Sequence, residues 1–205
     1  MRGKFISFEG IDGAGKSTHI EAAALALRSA GQQVVVTREP GGTALAEAIR
    51  EQVLHQSMDG LTELLLVFAA RRDHLNKVIA PALTRGDWVI CDRFTDSTFA
   101  YQGGGRRLDL AVITQLEAWV HGNQQPDVTL LFDLPAGVAA DRREKVRTAD
   151  RFEAEEVLFF ERVRSQYLRR AQQFPQRFTV IDAELSQESI KVLVNNILDK
   201  LVVTP

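Results

Sequence analysis

Phe5-Ile6-Ser7-Phe8-Glu9-Gly10-Ile11-Asp12-Gly13-Ala14-Gly15-Lys16-Ser17-Thr18 reads as a short apolar run, a glycine-rich turn and the start of an amphipathic stretch. Gly10 to Ser17 matches G-x-x-x-x-G-K-[ST] in full, and the strand–loop–helix context that the match requires surrounds it. The glycines let successive backbone N–H groups curl inward around phosphate oxygens. The helix that follows adds its positive N-terminal end. Lys16 can reach the β- and γ-phosphates, and the Ser17 hydroxyl suits Mg²⁺. A nucleoside triphosphate is therefore expected against Gly10, Ile11, Asp12, Gly13, Ala14, Gly15, Lys16, Ser17 and Thr18. Asp12 sets an anion beside a polyanion: it is either an exposed turn residue or faces a hydroxyl or cation of a second ligand.

Outward from this loop, four more short apolar runs follow: Val34–Thr37, Trp88–Cys91, Val128–Phe132 and Phe178–Ile181. Each is brief and continuous, as buried parallel strands are. Between them lie stretches with apolar residues three and four apart, such as Ile20, Ala23, Ala24 and Leu27, or Leu110, Ile113, Leu116 and Val120. Gly31 and Gly122 stand where helices would end, and Asp109 and Ser186 where they would start. The alternation predicts an α/β fold, a doubly wound five-stranded parallel sheet flanked by helices. Ligands of such a sheet collect at the carboxyl ends of its strands.

The 205 residues carry 25 Lys and Arg against 27 Asp and Glu, with one cysteine. One domain of about 100–200 residues fits that length. A lone cysteine cannot form an intramolecular bridge, which suits a reducing, cytoplasmic setting. The longest apolar run, Leu64–Ala70, falls well short of the ~20 residues of a membrane span. A net charge of −2 argues against a general nucleic-acid surface. The four histidines have no metal-ligand spacing.

Two strands run into an aspartate, Asp92 and Asp133, and either can hold Mg²⁺ through its waters. Arg93 follows Asp92 at once, pairing a metal-side anion with a phosphate-side cation, which favours Asp92. Arg38 and Arg93 lie at strand ends, on the ligand edge. Further arginines crowd 142–151. So many cations suit two anionic substrates brought end to end. An acceptor phosphate, with a second pKa of about 6, is already a nucleophile at neutral pH. It needs its repulsion neutralised and its geometry fixed rather than a base. Phosphoryl transfer between nucleotides fits. A GTPase switch would carry a guanine reader, but Asn76-Lys77-Val78-Ile79 lacks the aspartate; a protein kinase would carry an H-R-D loop, and none is present.

The chain resembles the bacterial thymidylate kinase family from Phe5 to about Asp182. The pieces are Gly10–Thr18, Thr37-Arg38-Glu39-Pro40-Gly41-Gly42-Thr43, Leu64–His74, Asp92-Arg93-Phe94, Thr98–Arg106, Asp133-Leu134-Pro135 and Asp150-Arg151-Phe152-Glu153. The resemblance implies a single P-loop kinase domain over 1–205, with a short mobile lid at about 142–151, working as a homodimer. It implies transfer of the γ-phosphoryl of ATP to dTMP with Mg²⁺. By position, Arg38 and Arg93 would hold the dTMP phosphate, Phe68 would stack on thymine, and Arg71 would hydrogen-bond the base. Ser97, Thr98 and Gln102 would line the base pocket. Tyr101 would occupy the space of a ribose 2′-hydroxyl, and Asp12 would face the 3′-hydroxyl. The phosphate loop carries no arginine, so a lid arginine, Arg147 or Arg151 before Arg142 or Arg143, is expected at the transferring phosphoryl. Lys16, Arg93 and Asp92 complete the expected catalytic set. Phe94 reads as core, and Phe68, inside the apolar Leu64–Phe68 run, would read as core on pattern alone. The competing functions are a kinase for dUMP or UMP, and a P-loop ATPase or GTPase.

Overall fold

Each of five parallel strands ends on a charged residue: β1 (Phe5–Glu9), β2 (Val34–Arg38), β3 (Trp88–Asp92), β4 (Val128–Asp133) and β5 (Phe178–Asp182). The computed structural model describes residues 2–143, 151–152 and 155–203. Most of the expected lid lies outside those residues, Arg147 included. The strand order is β2-β3-β1-β4-β5, which sets β1 and its glycine-rich turn at the centre of the sheet. The register brings Arg38 opposite Asp92 and Asp92 opposite Phe8. Every strand runs one residue past the sequence expectation. The extra residue is the charged one, because the ladder continues until the chain leaves the sheet edge.

All five β1 residues are buried, and they alternate between two packed layers. Ile6, Phe8, Ile90 and Phe132 pack with Ile20, Ala23, Ala24 and Leu27 of α1 (Lys16–Ser29). Phe5, Val89, Cys91 and Phe94 pack instead with Leu75, Ile79, Ala82 and Leu83. Phe94 is core, as the pattern suggests. The helices begin and end on local chemistry. Asp59 accepts from the N–H groups of Leu61 and Thr62 and starts α3 (Gly60–His74) two residues before Thr62. Asp109 accepts from Ala111 N at the start of α6 (Leu110–His121), and Ser186 from Ser189 N at α9 (Gln187–Val203).

Phe99–Gly105 forms a wider π-helical turn, a form often found at functional sites. Its glycine run has a steric reason. A Cβ on Gly104 would meet Arg162 O at 2.8 Å and one on Gly105 would meet the Phe159 ring at 2.5 Å. The turn can therefore lie directly on α8 (Val157–Gln173).

Candidate active site

Gly10, with φ +135°, makes the sharp exit from β1, and a Cβ there would strike Phe132 O at 2.4 Å. Lys16 turns back onto the loop it belongs to, its Nζ donating to Gly10 O at 3.1 Å and Ile11 O at 3.2 Å. Burial, with the Arg93 charge adding to it, pushes its pKa down. Ser17 and Asp92 line one groove with Thr37 and Arg38. Asp92 Oδ1 is buried without a hydrogen-bond partner, an orphaned oxygen that a cation and its waters would satisfy. Asp133 is instead engaged by Arg164 at 2.7 and 2.9 Å. The residues present thus fit Mg²⁺ at Ser17 and Asp92.

Next to the loop is a cavity lined by a mixture of charged, polar and apolar side chains, the kind of lining that fixes a small ligand's orientation. The cis Glu39–Pro40 bond, α2 (Ala44–His55), α3 and the Phe99–Gly105 turn contribute to its wall. Arg71, only 1% exposed, is aimed by its neighbours. Its Nε donates to Glu39 Oε2 at 2.6 Å, and its Nη2 to Thr98 Oγ1 at 2.9 Å and Phe94 O at 3.2 Å. Its Nη1 has no partner. Glu39 is held in turn by His74 Nδ1 at 3.0 Å, and His74 Nε2 meets Thr37 Oγ1 at 2.6 Å. Burial alone would raise the Glu39 carboxyl; Arg71 and His74 overcome it and hold it below the ordinary range. A fixed guanidinium thus offers one spare donor to a buried acceptor atom.

Arg93 has φ +67°, a left-handed conformation uncommon for a non-glycine residue and a mark of functional constraint. Its Nη2 donates to Asp12 Oδ1 at 2.7 Å and Tyr101 Oη at 3.1 Å; its Nη1 donates to Gly10 O at 2.7 Å and Tyr167 Oη at 3.0 Å. Tyr101 Oη donates to Asp12 Oδ2 at 3.0 Å. Burial would raise the Asp12 carboxyl, but Arg93 and then Lys16 hold it far below the carboxylate range. Behind this cluster lies Glu9, accepting from Phe94 N at 2.7 Å, Ser97 Oγ at 2.6 Å and Tyr167 Oη at 3.0 Å. Burial first, and the Asp96 charge second, raise Glu9 to about 7.

Asp12, Arg71, Arg93, Ser97, Thr98, Tyr101 and Gln102, all expected at the acceptor, line this cavity together. Four expected residues meet a different geometry. Phe68 is 2% exposed and packs with Leu64, Phe99 and Ile113; the α3 residue on the cavity wall is Val67, one helical step of ~100° away. Arg151 donates from Nη2 to Glu63 Oε2 at 2.5 Å and from Nε to Val53 O at 3.2 Å, so its guanidinium is committed to α2 and α3 rather than to the phosphate loop. Arg38 is bound to Glu47 Oε2 at 2.8 Å and faces the Ser17–Asp92 groove. Arg142 donates to Ala183 O at 3.2 Å.

Sequence reading missed several participants. Arg50, donating to Pro40 O at 2.9 Å, lines the cavity, and burial followed by the charges of Arg38 and Arg93 lowers its pKa. It looked like one more charge on an amphipathic helix. Phe152 also lines the cavity, with its ring edge-on to Tyr101 at 5.7 Å. Glu9 lay just past an apolar run, and Tyr167 in a helix that alternates apolar and charged residues. The only sequence signal for Glu9 was a carboxylate directly before the glycine turn.

Residues 8–194 match the family model described as thymidylate kinase. A thymidylate kinase of Cupriavidus metallidurans is 60% identical, over 98% of this chain and 100% of that protein. One of Janthinobacterium sp. (strain Marseille) is 59% identical, over 95% of this chain and 98% of that protein. Among solved structures, the thymidylate kinase of Ehrlichia chaffeensis superimposes with a TM-score of 0.77 at 36% identity, covering 97% of this chain and 99% of that one.

Proposed function

The chain belongs to the thymidylate kinase family, and from that premise we propose that it phosphorylates dTMP by direct in-line transfer of the γ-phosphoryl of ATP. One arrangement carries the reading: a phosphate loop opens beside a buried cavity whose wall bears the spare Nη1 of Arg71 and the Arg93–Asp12–Tyr101 cluster. In the reaction, an oxygen of the dTMP phosphate bonds to the γ-phosphorus as the bond to the β-phosphate oxygen breaks. ADP leaves with the electron pair.

Each side chain then has a role drawn from its chemistry. Gly10 to Thr18 wrap the ATP phosphates, and Lys16 exchanges its loop carbonyls for phosphate oxygens. Ser17 and Asp92 would hold Mg²⁺, which when bound neutralises charge on the phosphates. Arg93, helped by Arg38 and Arg50, neutralises the acceptor phosphate; a guanidinium fork suits phosphate oxygens. Arg71 donates to a carbonyl of the base, with Ser97, Thr98 and Gln102 around it. Asp12 accepts from the 3′-hydroxyl, and the Tyr101 ring fills the 2′ side. Arg147 is the lid arginine assigned to the transferring phosphoryl, a contribution of ~10³–10⁵ in rate in enzymes of this chemistry.

We read residues 1–205 as one kinase domain, on the strength of the one sheet formed among the described residues. Leu61 and Leu65 on α3 and Val112 and Trp119 on the adjoining α6 are exposed apolar side chains, Trp119 at 79%; they support pairing with a second copy of the chain. Among the described residues no helix is long and apolar enough to cross a membrane, and the one cysteine, Cys91, is buried and unpaired; a cytoplasmic setting suits both. Phosphorus NMR of dTMP incubated with Mg-ATP tests the reaction. Signals of dTDP and ADP growing together support it, and inorganic phosphate in place of dTDP refutes it.

A further inference from the structure

Glu63 is fully buried on α3 and is not itself on the cavity wall. Its Oε1 accepts from Gln102 Nε2 at 2.7 Å, and its Oε2 accepts from Arg106 Nε at 3.2 Å and Arg151 Nη2 at 2.5 Å. A carboxylate bound by two guanidiniums can only accept hydrogen bonds. The side-chain amide of Gln102 has a donor end and an acceptor end, and Glu63 takes the donor end. Turning the amide over would press its oxygen against the Glu63 oxygen, acceptor on acceptor. Gln102 is 3% exposed and does line the cavity, as does Arg71 with its unpartnered Nη1.

We propose that Glu63 is a positioning residue for base specificity: it fixes Gln102 so that the cavity is offered a carbonyl acceptor beside the Arg71 donor. This rests on the reading of the cavity as the acceptor-base pocket. A donor next to an acceptor matches the O4 and N3–H edge shared by thymine and uracil. Cytosine presents the reverse edge at both points. Its 4-amino group would face the Arg71 donor, and its bare N3 would face the Gln102 oxygen. Two buried polar groups would then lose their partners at once, the situation in which discrimination by hydrogen bonding is greatest.

The ratio of kcat/KM for dTMP to that for dCMP is the readout. Glu63→Gln can meet Gln102 with either end of its own amide, which frees Gln102 to turn; the ratio should fall at least tenfold, mainly through KM. Glu63→Asp keeps a carboxylate and should recover part of it. In a Gln102→Met background, Glu63→Gln should leave the ratio where it was, since Glu63 acts only through that amide. Equal losses for both substrates, or the same fall in the Gln102→Met background, would overturn the proposal. Should Glu63→Gln fail to fold, the wild-type protein answers by NMR. On binding dTMP the side-chain carbonyl carbon of Gln102 should shift while its NH₂ signals hold, and the opposite pattern would refute the assignment. A wild-type enzyme that ignores dTMP brings down the reading of the pocket itself. One that phosphorylates dTMP with a ratio insensitive to Glu63 brings down only this proposal.

Discussion

Arg93 Nη2 lies 2.7 Å from Asp12 Oδ1, joining the first residue past β3 to the middle of the phosphate loop. Both partners line the cavity beside the loop, and Asp12 belongs to the phosphate loop as well, so on the proposed function the pair bridges the donor and acceptor sites. Asp12→Asn keeps the shape and removes the charge. Hydrogen bonds to charged groups are worth about 1.5–3 kcal/mol, so kcat/KM for dTMP should fall about 10–100-fold, with ATP affinity little changed. Steady-state kinetics with each substrate varied in turn separates the two.

Tyr101 serves the same cluster in two ways, and two variants separate them. Tyr101→Phe loses the hydroxyl that donates to Asp12 but retains the ring, so preference for the deoxy sugar should persist while turnover drops. Tyr101→Ala opens the space and should relax that preference. Comparing kcat/KM for dTMP and its ribose counterpart measures it, and an unchanged preference in Tyr101→Ala would show that the 2′ position is policed elsewhere.

Arg38 is held by Glu47 in a pair whose side chains are 55% and 38% exposed. Such pairs contribute at most about 1 kcal/mol to stability. Arg38→Ala should therefore melt within a few degrees of wild type yet lose about 10²-fold or more in kcat/KM for dTMP. A kinetically silent Arg38→Ala would remove this residue from the acceptor site.

Glu9, raised to about 7 by burial and by Asp96, has a stability consequence with a definite sign. Between the ordinary glutamate pKa and about 7 the folded protein keeps a proton that the unfolded chain has released. This group's contribution is therefore full below the ordinary value, declines as pH rises toward 7, and is constant above. Burial and then the Asp96 charge drive the rise, against Ser97, Arg93 and the Phe94 amide, which pull it down; Tyr167 also faces the carboxyl. Glu9→Gln lacks this titration. The wild type should lose stability relative to it from pH 4.5 to 7 by at most a few kcal/mol, at about 1.4 kcal/mol per unit. Denaturant melts across that range that stay parallel would contradict the assignment.

The sheet and its ligand edge were legible in the sequence because both rest on local patterns: continuous apolar runs, and a glycine motif in a strand–helix context. In the cavity beside the loop, residue type and place alone pointed to Arg93, at a strand end, whereas Arg71, Ser97, Thr98, Tyr101 and Gln102 were legible only through the family resemblance. Val67 and Phe68 mark the limit. Both are apolar in a helix apolar on most sides, so only the rotation of α3 against its neighbours decides which one meets the cavity. Glu63, Gln102, Arg106 and Arg151 come from three separate segments, and the pairing of a carboxylate with an amide 39 positions away leaves no trace in spacing. Arg151 was expected at the phosphoryl group as one of the lid arginines of 142–151, and its bond to the buried Glu63 is a long-range contact with no mark in that spacing.

ADP release with Mg-ATP and dTMP, beside a control without acceptor and a third reaction with the ribose form, separates transfer from hydrolysis. Release should depend on dTMP, be near zero without acceptor, and be far slower with the ribose form. Release at the same rate in all three would mean hydrolysis without transfer, and would contradict the kinase reading outright.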